Sequence, residues 1–171
     1  MLKHEVLKQE FVSLIEKNQA IVHKVVNLYC DNKTDREDLF QEILLQLWKS
    51  YPSFKQLSKF TTWMYRIALN TAIAHFRKSD RHKKEEHMPD LPDHHDEDES
   101  YDEKENRKQM LYKAINKLNR AEKAIIMLYM EENTYEEIAE ITGMTVSNTG
   151  VKIKRTKEKL QQILKDMDYG N

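Results

Sequence analysis

Glycine and proline are scarce in this chain, three of each in 171 residues, and cysteine occurs once. So little turn chemistry disfavours a multi-stranded sheet and points to an all-α fold. The single Cys30 excludes an intrachain disulfide and a cysteine-built zinc cluster. It reads as a small, buried apolar residue. No apolar run reaches the roughly 18–20 residues that cross a membrane, and Met1–Glu10 has no signal-peptide core. No membrane insertion is expected, and the chain reads as soluble and cytoplasmic.

What the chain does have is charge, a third of all residues, balanced to a net −1. The balance hides an asymmetry. Between Glu85 and Asn106 there are 11 acids and one lysine, so the rest of the chain carries +9. Two basic bodies on an acidic tether suit nucleic-acid binding. The tether holds two of the three prolines and little apolar material, and reads as a flexible linker over 85–106. Its His87, His94 and His95 stand among carboxylates, and Asp93-His94-His95 spells the tripeptide of a phosphoesterase family. Metal ligands need rigid elements and second partners to hold them, which such a tether does not supply. No metal, cofactor or catalytic residue is expected.

Along the chain, Phe11, Val12, Ile15, Ile21, Val22, Val25, Val26 and Tyr29 recur at helical spacing, as one long helix or two. Thr34–Tyr51 reads as a second helix, capped by Thr34, with Asp35, Glu37 and Asp38 in its first turn and Pro52 ending it. Phe60–Asp80 reads as a third, capped by Thr61 or Thr62, whose far end turns basic at Arg77, Lys78, Arg81, Lys83 and Lys84. Aromatics among cations suit single-stranded DNA, since bases stack on rings while cations follow phosphates. Trp63 could equally be structural. Arg107–Leu118 and Arg120–Met130 follow, the second nearly continuous in apolar residues from Ala124 and expected to be buried.

The sharpest signal is Thr134–Leu164. Thr134-Tyr135-Glu136-Glu137 is a capping box, and Gly143 suits the left-handed end of a short helix. Thr145 or Ser147 can cap the longer helix that follows, and the two form a helix-turn-helix. At about 100° per residue, Val146, Ile153 and Leu160 make an apolar stripe. Asn148, Val151, Lys152, Arg155 and Lys159 face the other way, with Ser147 and Lys154 at the margin. Such a helix suits the major groove, its polar residues reaching base edges and its cations the phosphates. Gly150 inside it costs roughly 1 kcal/mol against Ala, and close backbone approach is one reason to keep it.

Residues 35–54, 60–78 and 118–145, in that order and spacing, resemble the extracytoplasmic-function (ECF) sigma factors of the sigma-70 family. The resemblance implies two small helical domains. Residues 1–84 would bind core RNA polymerase and the −10 element, and residues 107–171 the −35 element. It implies contact with the β′ clamp and the β subunit, promoter DNA as a binding partner, and an anti-sigma factor as a further partner. Carried over by position, Asp38, Leu39, Gln41, Glu42, Leu45 and Trp48 fall in the clamp-docking helix. Trp63, Tyr65, Arg66 and Asn70 fall where the −10 duplex opens and a base is held, with the loop 53–59 as a wall. His75, Arg77 and Lys78 fall near the −10 strand. Ser147, Asn148, Lys152 and Arg155 match recognition positions. Two departures stand out: Ala74 where members often have an acid, and VSNTGVKIKR as the recognition sequence.

The main alternative is a helix-turn-helix regulator with an N-terminal dimerisation or sensing domain, which would bind duplex DNA as a dimer without polymerase. A metal phosphoesterase using 93–96 is the enzyme alternative.

Overall fold

A computed structural model of the chain describes residues 2–85 and 103–169. Among these, every regular element is helical. They are α1 (Leu2–Tyr29), α2 (Lys33–Ser50), α3 (Phe60–Glu85), α4 (Glu103–Asn116), α5 (Arg120–Met130), α6 (Tyr135–Thr142) and α7 (Val146–Tyr169). A 3₁₀ turn at Tyr51–Ser53 holds Pro52 and closes α2, as the proline predicts.

Local caps set most boundaries, and several differ from the sequence reading. The side chain of Asn32, not Thr34, accepts the Asp35 backbone N–H at 2.8 Å and starts α2. Thr34 lies inside the first turn. Helix α3 begins at Phe60, so Thr61 and Thr62 are also internal, and Thr62 is buried. Asn119 and Glu122 form a reciprocal capping box at α5. Helices α3 and α4 both run into the stretch read as a linker. Residues 86–102, with their histidines and the expected flexibility, lie outside the described residues.

Helices α1, α2 and α3 pack on one another around Val22, Val25, Leu39, Ile43, Leu47, Met64, Ala68 and Ala72, all fully buried. Helices α4–α7 form the second body, with Ala114, Ile115, Leu118, Ile126 and Leu160 in a cluster of their own. Ala124–Leu128 are buried as expected, but Met130 at the helix end is half exposed. Cys30 is buried. The two bodies are not independent. Helix α3 packs on α6, and one buried cluster runs from α1–α3 into Ala124, Ile125, Leu128, Ile138, Ile141 and Ile153.

Candidate nucleic-acid and protein-binding faces

The turn between α6 and α7 is built by short polar contacts. Thr134 Oγ1 accepts the Glu137 N–H at 3.2 Å, and Glu137 Oε2 accepts the Thr134 N–H at 2.9 Å. Gly143 sits at φ +74° and donates to the Ala139 carbonyl at 2.9 Å, ending α6. Thr145 Oγ1 accepts the Asn148 N–H at 3.2 Å, so Thr145 rather than Ser147 caps α7. A hydrogen bond from Lys59 and those from Thr134 hold the Glu137 carboxyl below its usual range.

The buried side of α7 is Thr149, Ile153, Thr156 and Leu160, so Ile153 and Leu160 of the expected stripe are buried and Val146 is not. Val146, the first residue of the helix, is 43% exposed. Thr149 is fully buried at no polar cost, its hydroxyl donating to the Thr145 carbonyl at 3.0 Å. Ser147, Asn148, Val151, Lys152, Lys154, Arg155 and Lys159 are all exposed. One of them is already engaged: Lys159 Nζ reaches both oxygens of Glu122, at 2.8 and 3.0 Å. Burial raises the pKa of Glu122, but Lys159 and the Asn119 N–H outweigh it and the net direction is down. A phosphate would have to draw Lys159 from this pair. Gly150 faces neither the core nor the centre of the exposed side. A Cβ placed there would lie 3.4 Å from Tyr135 Cε2, an ordinary contact distance, so the ring on the flank of the helix does not require a glycine.

On α3, Trp63, Arg66, Asn70 and Arg77 follow one another at helical spacing along a single face, with exposed Ala74 and Arg81 on the same line. Lys78 is exposed beside them. Trp63 is half-buried within an aromatic group. Its ring lies 4.9 Å from Phe54, 5.3 Å from Phe60 and 6.3 Å from Tyr51. These flanking rings fix it in place and leave part of it accessible, a geometry suited to stacking. Their participation was legible only as a loop bracketed by aromatics. Tyr65 points the opposite way. It is 6% exposed, and burial, helped by Glu131 just past the end of α5, pushes its phenol up to about 12. It cannot touch DNA while α5 and α6 lie against α3.

On α2, Asp38, Gln41 and Leu45 are exposed on one face, and Leu45 is 48% exposed. Leu39 is completely buried with Ile43 and Leu47, so it supports that face from behind and offers no contact surface. Trp48 is part-buried, edge-on to Phe11 at 5.1 Å. Glu42 Oε2 accepts from His75 Nδ1 of α3 at 2.6 Å, bringing together two residues that the sequence reading had given separate tasks.

Sequence reasoning missed Thr149 and Thr156, which repeat on the line of Ile153 and Leu160. It also missed Lys157, whose ammonium sits 4.9 Å over the Tyr129 ring and 3.3 Å from its hydroxyl. Lys24 and Lys59 were not singled out, and no sequence signal pairs them with Glu131 and Glu137 more than 70 residues away.

Two stretches of the chain match known families: residues 14–82 match sigma-70 region 2, and residues 108–160 match sigma-70 region 4. The chain is similar to the ECF RNA polymerase sigma-E factor of Haemophilus influenzae, with 27% identity, covering 90% of this chain and 87% of that protein. It is also similar to the RNA polymerase sigma factor SigV of Bacillus subtilis, with 26% identity and 91% of each chain covered. Among solved structures, the sigma factor RpoE of Bartonella quintana, bound to the anti-sigma factor NepR, superposes with a TM-score of 0.72. It is 22% identical, with 92% of this chain and 98% of that one covered.

Proposed function

The chain belongs to the sigma-70 family, among its ECF sigma factors, and on that premise we propose which of its surfaces carry out the work of an RNA polymerase sigma factor. It binds core polymerase, directs it to promoters and helps to melt them, acting by contact rather than by catalysis. Its place of action is the cytoplasm, where polymerase and promoters are found. The Asp38–Gln41–Leu45 face of α2 docks on the polymerase clamp, with Glu42 and Trp48 at its margins. The Trp63–Arg66–Asn70–Arg77 face of α3 takes the −10 strand. Arg66, Arg77 and Lys78 neutralise phosphates, and Trp63 in its aromatic frame offers a stacking surface for an unpaired base. Extruding a base costs a few kcal/mol, a cost that stacking and pocket contacts of this kind can offset. Ser147, Asn148, Val151 and Arg155 of α7 face the −35 base edges, with Lys152, Lys154 and Lys159 on the phosphates.

The observation that carries this reading is the pairing of each matched region with an exposed face of fitting chemistry. The likeness to a sigma factor held by an anti-sigma protein extends the proposal to an inhibitory partner of that kind.

The test is retention of the chain on bacterial core polymerase, wild type beside Asp38→Arg/Leu45→Arg. Both positions are exposed, so the double variant is expected to keep its thermal stability and lose binding by at least tenfold. A folded wild-type chain that ignores core polymerase and binds duplex DNA as a dimer would return the question to the regulator alternative.

A further inference from the structure

Where the far half of α3 meets the start of α5 there is an open cleft of about 570 Å³. Ile73 of α3 and Leu118, just before α5, give it apolar lining. Three cations stand around it: Arg77 of α3, and Arg120 and Lys123 of α5. Among the described residues, no carboxylate lines it. Like charges gathered around one cavity repel one another, and an anion placed among them relieves that repulsion.

Two of the cations are held from outside the cleft. The Arg120 guanidinium meets Asp80 Oδ2 at 2.8 Å and lies 5.3 Å over the Phe76 ring, and the Arg120 carbonyl accepts the Tyr29 hydroxyl at 2.7 Å. A guanidinium is a fork of five donors, of which the Asp80 contact uses one. Lys123 is part-buried, and its Nζ reaches Asn116 Oδ1 at 3.4 Å, beyond the usual hydrogen-bond range. Burial pulls its pKa down, Asp31 opposes this, and repulsion from Arg120 adds to it, so the net direction is down. The two acids involved, Asp80 and Asp31, both lie outside the lining. The side chains, not the start of α5, make the site, since the capping box already takes the Asn119 and Glu122 N–H groups.

We infer that this cleft is an anion site for phosphoryl groups, with Arg120 and Lys123 as its held cations and Arg77 completing it from α3. The donor set suits phosphate: a planar fork matches paired oxygens, and an ammonium adds a compact charge. Such groups arrive either free, on a small phosphorylated molecule, or on a nucleic-acid strand, which Arg77 would share with the α3 face. The site is independent of the promoter reading, because it needs only these side chains.

Thermal unfolding of the full chain in millimolar sodium pyrophosphate, beside sodium chloride at the same ionic strength, tests it. Pyrophosphate is expected to raise the midpoint by about 3 °C or more over chloride, because it binds the folded state. Lys123→Gln is expected to abolish the rise and keep the fold, since burial already opposes the charge. Lys123→Arg should retain the rise, and so should Lys152→Gln on the exposed side of α7. Fluorescence anisotropy with a short single-stranded DNA then separates the two sources. Binding weakened several-fold by Lys123→Gln and by added pyrophosphate assigns a strand phosphate to the site, and binding unchanged by either assigns a free phosphorylated molecule. A midpoint no higher than in chloride, or a rise that survives Lys123→Gln or is lost in Lys152→Gln, would overturn the site.

Discussion

Gly143 and Gly150 stand seven residues apart, and only the first is required by the backbone. At φ +74°, Gly143 occupies backbone space that a side chain resists although nothing lies within 4 Å of where its Cβ would be. Gly143→Ala is expected to lower stability by about 1 kcal/mol in urea unfolding. Gly150 has ordinary helical geometry, and a Cβ there would reach the Tyr135 ring at contact distance, 3.4 Å. Gly150→Ala is therefore expected to raise stability by up to about 1 kcal/mol through helix propensity, while a branched side chain would displace the ring. Cys30 behaves as its solitary place in the chain suggests. Burial, with Asp35 next, pushes its thiol up to about 11, Arg36 opposing. Iodoacetamide at pH 8 is expected to leave it unmodified in the folded chain and to label it in urea, as mass spectrometry would read.

At the scale of the helix, one side carries stability and the other recognition, and neighbouring residues can differ completely. Leu39 is fully buried and Asp38 beside it is exposed. Leu39→Ala is expected to cost about 2–5 kcal/mol, whereas Asp38→Arg should leave the unfolding midpoint nearly unchanged. Thr134→Ala removes one half of the α6 capping box and is expected to cost about 1 kcal/mol. The same scale explains what was readable beforehand. Capping boxes are local, so Thr134–Glu137 and Gly143 fell where the sequence put them. The exposed cations of α7 followed from helical spacing. Val146 did not, because periodicity ignores where a helix stops having a neighbour. Nor did Thr149 and Thr156, because composition counts threonine as polar, although one that bonds its own helix, as Thr149 does, can be buried like a valine.

For the whole molecule, the shared core links the two bodies and should respond to alkali. The phenol of Tyr65 has its pKa raised from 10 to about 12, by burial first and then by Glu131. The folded state thus holds this proton more tightly than the unfolded chain. The stability it contributes is complete below pH 10 and is lost as pH rises from 10 towards 12, a change of order 2 kcal/mol. Burial also raises Tyr29, which adds to the same limb. Urea midpoints should therefore fall across that window, and Tyr65→Phe, which keeps the ring and removes the proton, should flatten part of the fall.

By itself the sequence determined what depends on near neighbours along the chain. The helices, their apolar sides and the capped turn before α7 are set by residues within one or two turns of each other, and the order of motifs that marks a sigma factor is read along the chain without any contact between them. What the tertiary structure decided is what depends on residues far apart in the chain. It set Tyr65 against α5 and α6, tied Lys59 to Glu137 and Lys24 to Glu131, and paired His75 with Glu42. No spacing rule reaches 78 or 107 residues. A seam between two bodies is chosen by the shape and charge of surfaces that exist only once each has folded.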